Sequence, residues 1–332
     1  KHSEARSIQG LGRNKDGGAR VGDAGARAKS GEPADKLKEK LAAVGLDPER
    51  VKKRAGEGVI GLHNRGQSLA GAILSGVDLS GLDLEGVNLS QAQLQKADLS
   101  GTNLKRADLS QAIALEADFS GADLSGANLH QGLFMKGKFP GAALAAANLH
   151  QAILGEADLS GADFSGARLD WVILRKANLT GAVLVGIQAE MGVFSEALAQ
   201  GADFSQARLI KCLFQGTRLD QVNFYRAEFN STMLTRVKGE NVSFREANLD
   251  RVRIANGSSL PGADFRNSSL KAACFRESDL SGALFHDAVL DNALLANCDL
   301  SHANFFRALA RKCRFNKSKL EGADLKAVNL FQ

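Results

Sequence analysis

Tryptophan, tyrosine and proline are scarce in this chain: its 332 residues include one Trp, one Tyr and four Pro. That composition is unusual for a globular enzyme of this length. Long apolar runs are missing too, because no stretch reaches 18 apolar residues and the N-terminal segment is polar. The sequence therefore predicts neither a membrane span nor a cleaved signal segment.

Cysteine is equally rare, and the four thiols show no metal-binding spacing. They are Cys212, Cys274, Cys298 and Cys313, with no Cys-x-x-Cys pair among them. Free cysteine behaves as a small apolar residue, so we interpret these positions as reduced structural thiols that replace alanine. Such usage is typical of a reducing cytoplasm.

What the sequence does contain is a five-residue repeat, Ala-(Asp/Asn)-(Leu/Phe)-Ser-Gly, which is clearest over residues 117–129. In an extended segment the Ala and the large apolar residue two positions later point to the same side, and the Ser-Gly pair suits a corner. We call the large apolar residue the centre of each pentad. Centres run without a break from Leu69 to Ile254 and again from Leu260 to Leu330, with one extra residue within 256–259. This period predicts a solenoid.

The repeat resembles the pentapeptide-repeat proteins over about four-fifths of the chain. The resemblance implies an all-β solenoid, a right-handed quadrilateral β-helix with four pentads in each coil. About 53 pentads then give about 13 coils, stacked over roughly 60 Å.

Four pentads make a period of 20, so residues 20 apart should stack. Two ladders with that spacing support the period. Identical side chains stacked in this way can share contacts and amide hydrogen bonds. The ladders are Phe204, Phe224, Phe244, Phe265, Phe285 and Phe305 in the interior, and Gln91, Gln111, Gln131 and Gln151 at a corner. We expect the extra residue to be a surface bulge that leaves the Phe ladder in register.

Residues 1–60 differ from the repeats. Residues 1–31 are rich in Gly, Ala, Arg and Lys and predict a flexible basic arm. Residues 32–60 predict a helical hairpin that caps the first coil or acts as a linker, with one helix opened by Pro33 and a second from Pro48 to about Arg54. The β-helix is then expected over residues 61–332.

Charge is unevenly distributed along the sequence. Residues 1–60 carry about +5, residues 61–210 about −5 and residues 211–332 about +5. The strongest basic cluster is a candidate docking site for an acidic protein partner, with a solvated surface as the alternative. Its members are Arg307, Arg311, Lys312, Arg314, Lys317, Lys319 and Lys326. DNA is not expected, because stacking aromatic residues do not accompany the cluster.

Residues that could support catalysis follow the repeat and carry no independent signal. No Walker-type loop, HExxH motif or nucleophile elbow occurs. His130, His150 and Asp170 stack at the 20-residue period and could bind a divalent metal, although a surface ladder is the favoured interpretation. We therefore expect no catalytic residue, no cofactor and no metal.

Some pentads have small residues where the centre should be large: Ala189, Ala199 and Gly239. Either loops or kinks open there and offer partner surfaces, or the repeat has simply drifted. The last coil also lacks a cap, which predicts a homodimer or an end-to-end contact through it.

The sequence favours a non-catalytic protein-protein interaction scaffold of a bacterial cytoplasm. The first alternative comes from the family resemblance: a DNA mimic that protects gyrase, which needs a dense negative surface along its length. A second alternative is an accessory protein of type VI secretion that loads effectors, since such proteins join the repeats to a charged linker similar to residues 36–58.

Overall fold

The computed structural model describes residues 48–330. One α-helix, α1 (Pro48–His63), precedes the repeats. Strands of three residues then occur at six places: β1 (Gln188–Glu190), β2 (Arg208–Ile210), β3 (Met233–Thr235), β4 (Arg253–Ala255), β5 (Cys274–Arg276) and β6 (Leu294–Ala296). β1 pairs with β2, and β3 to β6 form a parallel four-stranded sheet.

Outside the six strands, pentads pair through single parallel bridges to the pentad one coil further on. Asp108 bridges Asn128, and Asn128 bridges Asn148, so the repeat of 20 residues is the coil. Each coil therefore has four sides, and the predicted β-solenoid is confirmed. We number the sides along the chain: Leu129 centres a pentad of the first side, Phe134 of the second, Phe139 of the third and Leu144 of the fourth.

Each coil supplies hydrogen-bond partners for the backbone of the coil before it. The amide of Leu109 donates to the carbonyl of Asn128 at 2.7 Å, and the amide of the corner residue Gln111 donates to His130 at 2.8 Å. Corners use a left-handed residue, either glycine or a side chain such as Gln111 with φ of 57°. Such a residue is strained in isolation, so the paired coils on either side must hold it there.

The interior is filled by the centres and by the small residues two positions before them. Ala107 and Leu109 are both fully buried. Where an inward small residue is polar, its hydroxyl finds a partner: Thr102 donates to the carbonyl of Leu79 at 2.8 Å. Buried polar groups are tolerated only when bonded in this way, so the core stays closed.

The Phe ladder forms one interior column on the fourth side, as predicted. Neighbouring rings lie 5.2 Å apart between Phe204 and Phe224 and 4.6 Å apart between Phe285 and Phe305. Rings at these separations gain stacking energy beyond their burial.

The one-residue insertion is a corner bulge, as predicted. Asn256 and Gly257 are both exposed and both left-handed, with φ of 60° and 76°. Ser258 then takes the inward position and is buried, and its hydroxyl donates to the carbonyl of Ala255 at 2.8 Å. The extra residue is absorbed at the surface because glycine accepts the second positive φ without strain.

Of the two interpretations of the irregular pentads, drift of the repeat holds, and the loops or kinks do not form. Ala189 lies within β1, and Ala199 and Gly239 are in pentads that keep their bridges to the next coil. Phe194 on the second side and Phe204 on the fourth pack edge to face at 5.9 Å, in the coil where Ala199 stands at the third side's centre. Larger side chains on neighbouring sides thus occupy the volume that the small centre leaves.

Helix α1 packs on the first coil. Val59 is buried in the continuous core and Leu62 packs against it. A Cβ atom on Gly56 would lie 2.4 Å from the carbonyl oxygen of Asp78, so only glycine allows this approach. The predicted end near Arg54 was wrong: the helix continues to His63 because these later residues make the contact with the coil.

The first predicted helix and the basic arm lie outside the described residues, so the domain boundaries drawn from the sequence stay predictions. The segment compared above with a charged linker is helical from Pro48 onward.

Candidate interaction surface

The basic residues that are close in sequence do not form one patch. They are distributed around the last coils because successive pentads lie on successive sides. Arg307 and Lys326 lie at the corner between the fourth and first sides, and Lys319 lies on the third. Arg311, Lys312, Arg314 and Lys317 follow one another from the end of the first side, across the second, to its far corner.

Three members of the cluster are bound to carboxylates one coil below. Arg307 pairs with Asp287 at 2.9 Å and Lys319 with Asp299 at 3.4 Å. Arg311 forms a two-pronged ion pair with Asp291. The hydrogen bonds from Arg311 hold the pKa of the Asp291 carboxyl below its usual range. The charges of these three cations are thus already paired, and the pair of Arg311 with the largely buried Asp291 is the one that stabilises the stacking of coils.

Lys312, Arg314 and Lys317 form a row across the second side. Within the described part of the chain, none of the three makes an ion pair. We call these residues the basic row. Of the predicted cluster, the row is the part whose free charges lie together, because Lys326, which makes no ion pair among the described residues either, lies at a different corner.

The second side carries a feature that the sequence analysis missed, an outward column of apolar residues. They occupy the position one before the centre, where the other sides mostly carry Asp, Asn or other polar residues. Successive members bridge each other from coil to coil. Ile73 is 75% exposed and Ile173 is 38% exposed, whereas the other six members are half-buried. This apolar column consists of Ile73, Ile113, Leu133, Ile153, Ile173, Val193, Leu213 and Met233, interrupted only by Gln93.

One edge of the apolar column is the Gln ladder, whose predicted amide bonds are confirmed. Gln91 donates to Gln111 at 3.1 Å, Gln111 to Gln131 at 3.2 Å and Gln131 to Gln151 at 2.7 Å. Trp171, which is 48% exposed, takes the next position at the same corner. The edge is thus uncharged, and it ends in an aromatic ring beside Ile173.

The opposite edge is a ladder in which positive and negative side chains alternate at every coil. Its ion pairs join Lys96 to Glu116 at 3.6 Å, Lys136 to Glu156 at 3.8 Å and Lys176 to Glu196 at 3.9 Å. Exposed pairs of this kind contribute little stability. The alternation nevertheless gives this edge a defined pattern of charge. We call it the charge ladder.

The third and fourth sides have a different chemistry. At the position that is apolar on the second side they carry aspartates such as Asp98, Asp118 and Asp163. These carboxylates accept bonds within their own corner, as Asp98 does from the amide and hydroxyl of Ser100 at 3.0 and 2.7 Å. The apolar column is therefore a property of one side only. Spacing by 20 at the position before the centre was the signal that could have revealed it.

The two imidazole rings of the histidine ladder stack on each other. The rings of His130 and His150 lie 5.2 Å apart and nearly parallel. Burial lowers the pKa of His150, and the nearby Arg168 adds to this effect. Among residues 48–330, no group of side chains is placed to hold a metal ion.

Cys212 and Cys298 are buried, whereas Cys274 and Cys313 are half-buried, and Cys274 holds an outward position in β5 instead of the inward position of an alanine. Cys212 is fully buried, and burial raises its pKa to about 12. Its Sγ donates to the carbonyl of Ala189 at 3.1 Å. A thiol in this state is a poor nucleophile.

At the far end of the described residues, two centres are solvent-exposed: Leu325 at 43% and Leu330 at 53%. The expected end-to-end contact there stays a prediction. Among residues 48–330, no helix has the length and apolar character of a membrane span.

Solved structures with the same kind of repeat show similarity to this chain. HetL, a pentapeptide repeat protein involved in heterocyst differentiation regulation from the cyanobacterium Nostoc sp. strain PCC 7120, is 24% identical over 82% of this chain and 95% of its own, with a TM-score of 0.38. QnrB1, a plasmid-mediated fluoroquinolone resistance protein, is 18% identical over 68% of this chain and 89% of its own, with a TM-score of 0.24. Rfr23 from the cyanobacterium Cyanothece 51142 is 28% identical over 36% of this chain and 89% of its own, with a TM-score of 0.23.

No curated protein shows significant sequence similarity to the chain. The family model for pentapeptide repeats matches it in eight copies, over residues 72–111, 102–134, 142–181, 193–225, 202–238, 255–287 and 285–326. Proteins with these repeats form right-handed β-helices and are generally structural or interaction proteins without enzymatic activity. With more than half of its length matched and a coil of four pentads, the chain belongs to the pentapeptide-repeat family.

Proposed function

We propose that this protein is a non-catalytic protein-protein interaction scaffold of a bacterial cytoplasm, with the second side as its binding surface. The observation that carries the proposal is the apolar column between the Gln ladder and the charge ladder. Contiguous exposed apolar surface bordered by polar residues is a common mark of an interaction site. Trp171 and Met135, which is 41% exposed, belong to residue types enriched in such sites.

The serine and cysteine side chains that resemble nucleophiles have structural roles in the β-helix. Ser100 donates to Asp98, and the thiol of Cys212 is buried with a raised pKa. A nucleophilic thiol needs a lowered pKa, which Cys212 lacks, and the bond from Ser100 to Asp98 is a corner contact that recurs in other pentads, as between Ser281 and Asp279. A binding role explains the same surface without requiring such chemistry.

The experiment that tests this role is affinity capture from the source cell with three forms of the chain. Ile153→Lys places a charge in the middle of the apolar column. Leu198→Lys is the matched control, because Leu198 holds the equivalent outward position on the third side and is 44% exposed. We expect captured partners to be lost with Ile153→Lys and kept with Leu198→Lys, while circular dichroism shows both variants folded. Equal capture by all three forms would reject the second side as the binding surface.

The acidic partner expected from the basic cluster is proposed to contact the basic row. Lys312, Arg314 and Lys317 extend the same side toward its far end, so one partner could contact the apolar column and place carboxylates on the row. Capture should then weaken steeply as salt rises. Reversing these three charges should abolish the salt dependence, whereas Arg311→Glu should lower stability because Arg311 is already bound to Asp291.

A gyrase-protecting DNA mimic remains the second candidate, and the aspartates of the third and fourth sides are the observation that favours it. A mimic needs negative potential along its whole length. Lys138 interrupts the acidic column of the third side, and Lys319 follows Asp299 on it. These cations make an interaction scaffold the better-supported function.

A further inference from the structure

The alternating charges of the charge ladder are complementary to the same ladder in reverse order, so they suit a contact between two copies of the chain. Two copies whose second sides face each other about a two-fold axis have two arrangements. With the axis along the β-helices the copies are parallel, and the Gln ladder of one meets the charge ladder of the other. With the axis across them the copies are antiparallel, and each ladder meets its own reversed copy.

Reversal matters for the charge ladder because its signs alternate. If the axis passes through a coil, like charges face each other. If it passes between the coils of Lys136 and Glu156, every facing pair is opposite in sign: Lys136 faces Glu156 of the partner subunit, Glu116 faces the partner's Lys176 and Lys96 faces the partner's Glu196. Like charges in contact are strongly disfavoured, so the ladder excludes an axis through a coil, and among the axes between coils this one gives all six ladder residues a partner of opposite sign.

The same register suits the apolar column. Leu133 faces Ile153 of the partner subunit, and Ile113 faces the partner's Ile173. Beside them, the protruding side chain of Met135 faces the partner's Gly155, which offers space. On the other edge Gln111 faces the partner's Trp171, where an amide can lie on an indole. One operation therefore matches the apolar column and the charge ladder, while Arg175, which is paired with Glu196 of its own chain, lies opposite the partner's Leu115.

We propose that the second side binds a second copy of this chain, with the two β-helices antiparallel and Leu133 of one copy facing Ile153 of the other. This rests on the proposed role of that side as an interaction surface. The outward positions of the third and fourth sides carry mainly polar and charged residues, so neither of these sides offers an apolar column to a second copy. The proposal differs from a contact between the ends of two solenoids, since it uses the flank.

The size of the overlap fits a reversible dimer. It runs from the coil of Ile73 to the coil of Leu213, about eight coils or roughly 38 Å. With a width of roughly 15 Å, each copy buries about 600 Å², or about 1,200 Å² in total, which is the lower end of specific interfaces. The basic row lies beyond this overlap and stays open to another partner.

The test is a charge swap between copies of the full chain, followed by sedimentation velocity. Wild-type protein should dimerise. Lys136→Glu alone and Glu156→Lys alone should each raise the dimer dissociation constant at least tenfold, because each places like charges in both symmetric contacts. An equimolar mixture should form a heterodimer with nearly wild-type affinity, since opposite charges face each other again. Arg226→Glu, on the corner between the fourth and first sides, is the control that should leave the dimer unchanged.

The proposal would be overturned by a wild-type chain that stays monomeric at a concentration about 100-fold above a micromolar dissociation constant. It would also be overturned by a mixture of the two variants that stays as monomeric as each variant alone. A monomeric chain whose partner capture still depends on Ile153 would reject the dimer and retain the scaffold role. A charge-controlled dimer that captures no other protein would support the dimer and reject a scaffold that binds other partners.

Discussion

The rings of Phe244 and Phe265 stack with their centroids 4.9 Å apart and their planes 1° from parallel, although the extra residue lies between them in sequence. Stacking this close requires both centres to be on the same side of consecutive coils. The insertion at Gly257 therefore does not disturb the packing of the core. A solenoid with paired coils confines an irregularity to the corner where it occurs.

Phe224→Asp should unfold several coils. Phe224 is fully buried and touches Phe204 and Phe244, so the variant places an unpaired carboxylate among aromatic rings. We expect a loss of several kcal/mol in the free energy of unfolding, measured by chemical denaturation. Phe224→Leu is the control and should cost about 1–2 kcal/mol, because it removes volume without adding charge. Equal stability of the Asp variant and wild type would contradict the interior column.

Deleting Gly257 should be tolerated. The deletion restores a regular pentad, in which Asn256 keeps its corner position and Ser258 keeps its inward one, so stability should change by less than about 1 kcal/mol. Deleting Gly201, a corner residue of a regular pentad, should instead destroy the register of every following centre and prevent cooperative folding. Thermal melting followed by circular dichroism compares the two. Similar damage from both deletions would argue against the bulge.

The ion pair of Asp291 predicts a pH dependence with a definite sign. Hydrogen bonds from Arg311 lower the pKa of Asp291 in the folded state below the value of about 3.9 expected when the chain is unfolded. The pair therefore adds stability above about pH 4, and this contribution is lost as the pH falls toward the lowered pKa. Asp291→Asn should melt at a lower temperature than wild type at pH 7, and the difference should shrink at pH 3. A difference that grows in acid would contradict this assignment.

Purified protein should fail to inhibit or protect DNA gyrase at physiological salt. A DNA mimic must present negative potential along its length, whereas the basic row would repel a DNA-binding surface at one end. Supercoiling assays with and without a fluoroquinolone measure this directly. The variant Lys312→Glu, Arg314→Glu, Lys317→Glu serves as a comparison, because removing the row should bring the surface closer to that of a mimic. Potent inhibition by the wild-type chain would favour the DNA-mimic alternative.

The coil could be predicted because the interior of the β-helix imposes a regular pattern on the sequence. A large centre such as Phe204 and a small inward residue such as Ala202 are dictated by a narrow axis, and they recur every five residues. The corner bulge at Gly257 was also predictable, since a single extra residue between two unbroken series has few places to go. The response to Ala199 was not, because it depends on how Phe194 and Phe204 on other sides share the volume.

The surface was harder to predict, since proximity in sequence does not mean proximity on a solenoid. Arg307 and Arg314 are seven residues apart but lie on different sides. Conversely, Ile113 and Ile153 are 40 residues apart and belong to one column. The exposed residues of one side are found by comparing positions 20 residues apart, and the five-residue pattern does not show which of them are apolar.

The pairing of each coil with the next also constrains how such a chain can change in length. A duplication or loss of 20 residues would add or remove one coil and leave the apolar column, the Gln ladder and the basic row on the second side. A gain or loss of one pentad would turn everything that follows by a quarter of a revolution. A pentad gained ahead of Ile173 would place Ile173 and Met233 in line with the acidic column of the third side, and a pentad lost there would place them on the first side. Either change would cut the binding side in two. Genes for this architecture can lengthen by whole coils without losing a binding side, whereas single-pentad changes reassign every residue that follows to a new side.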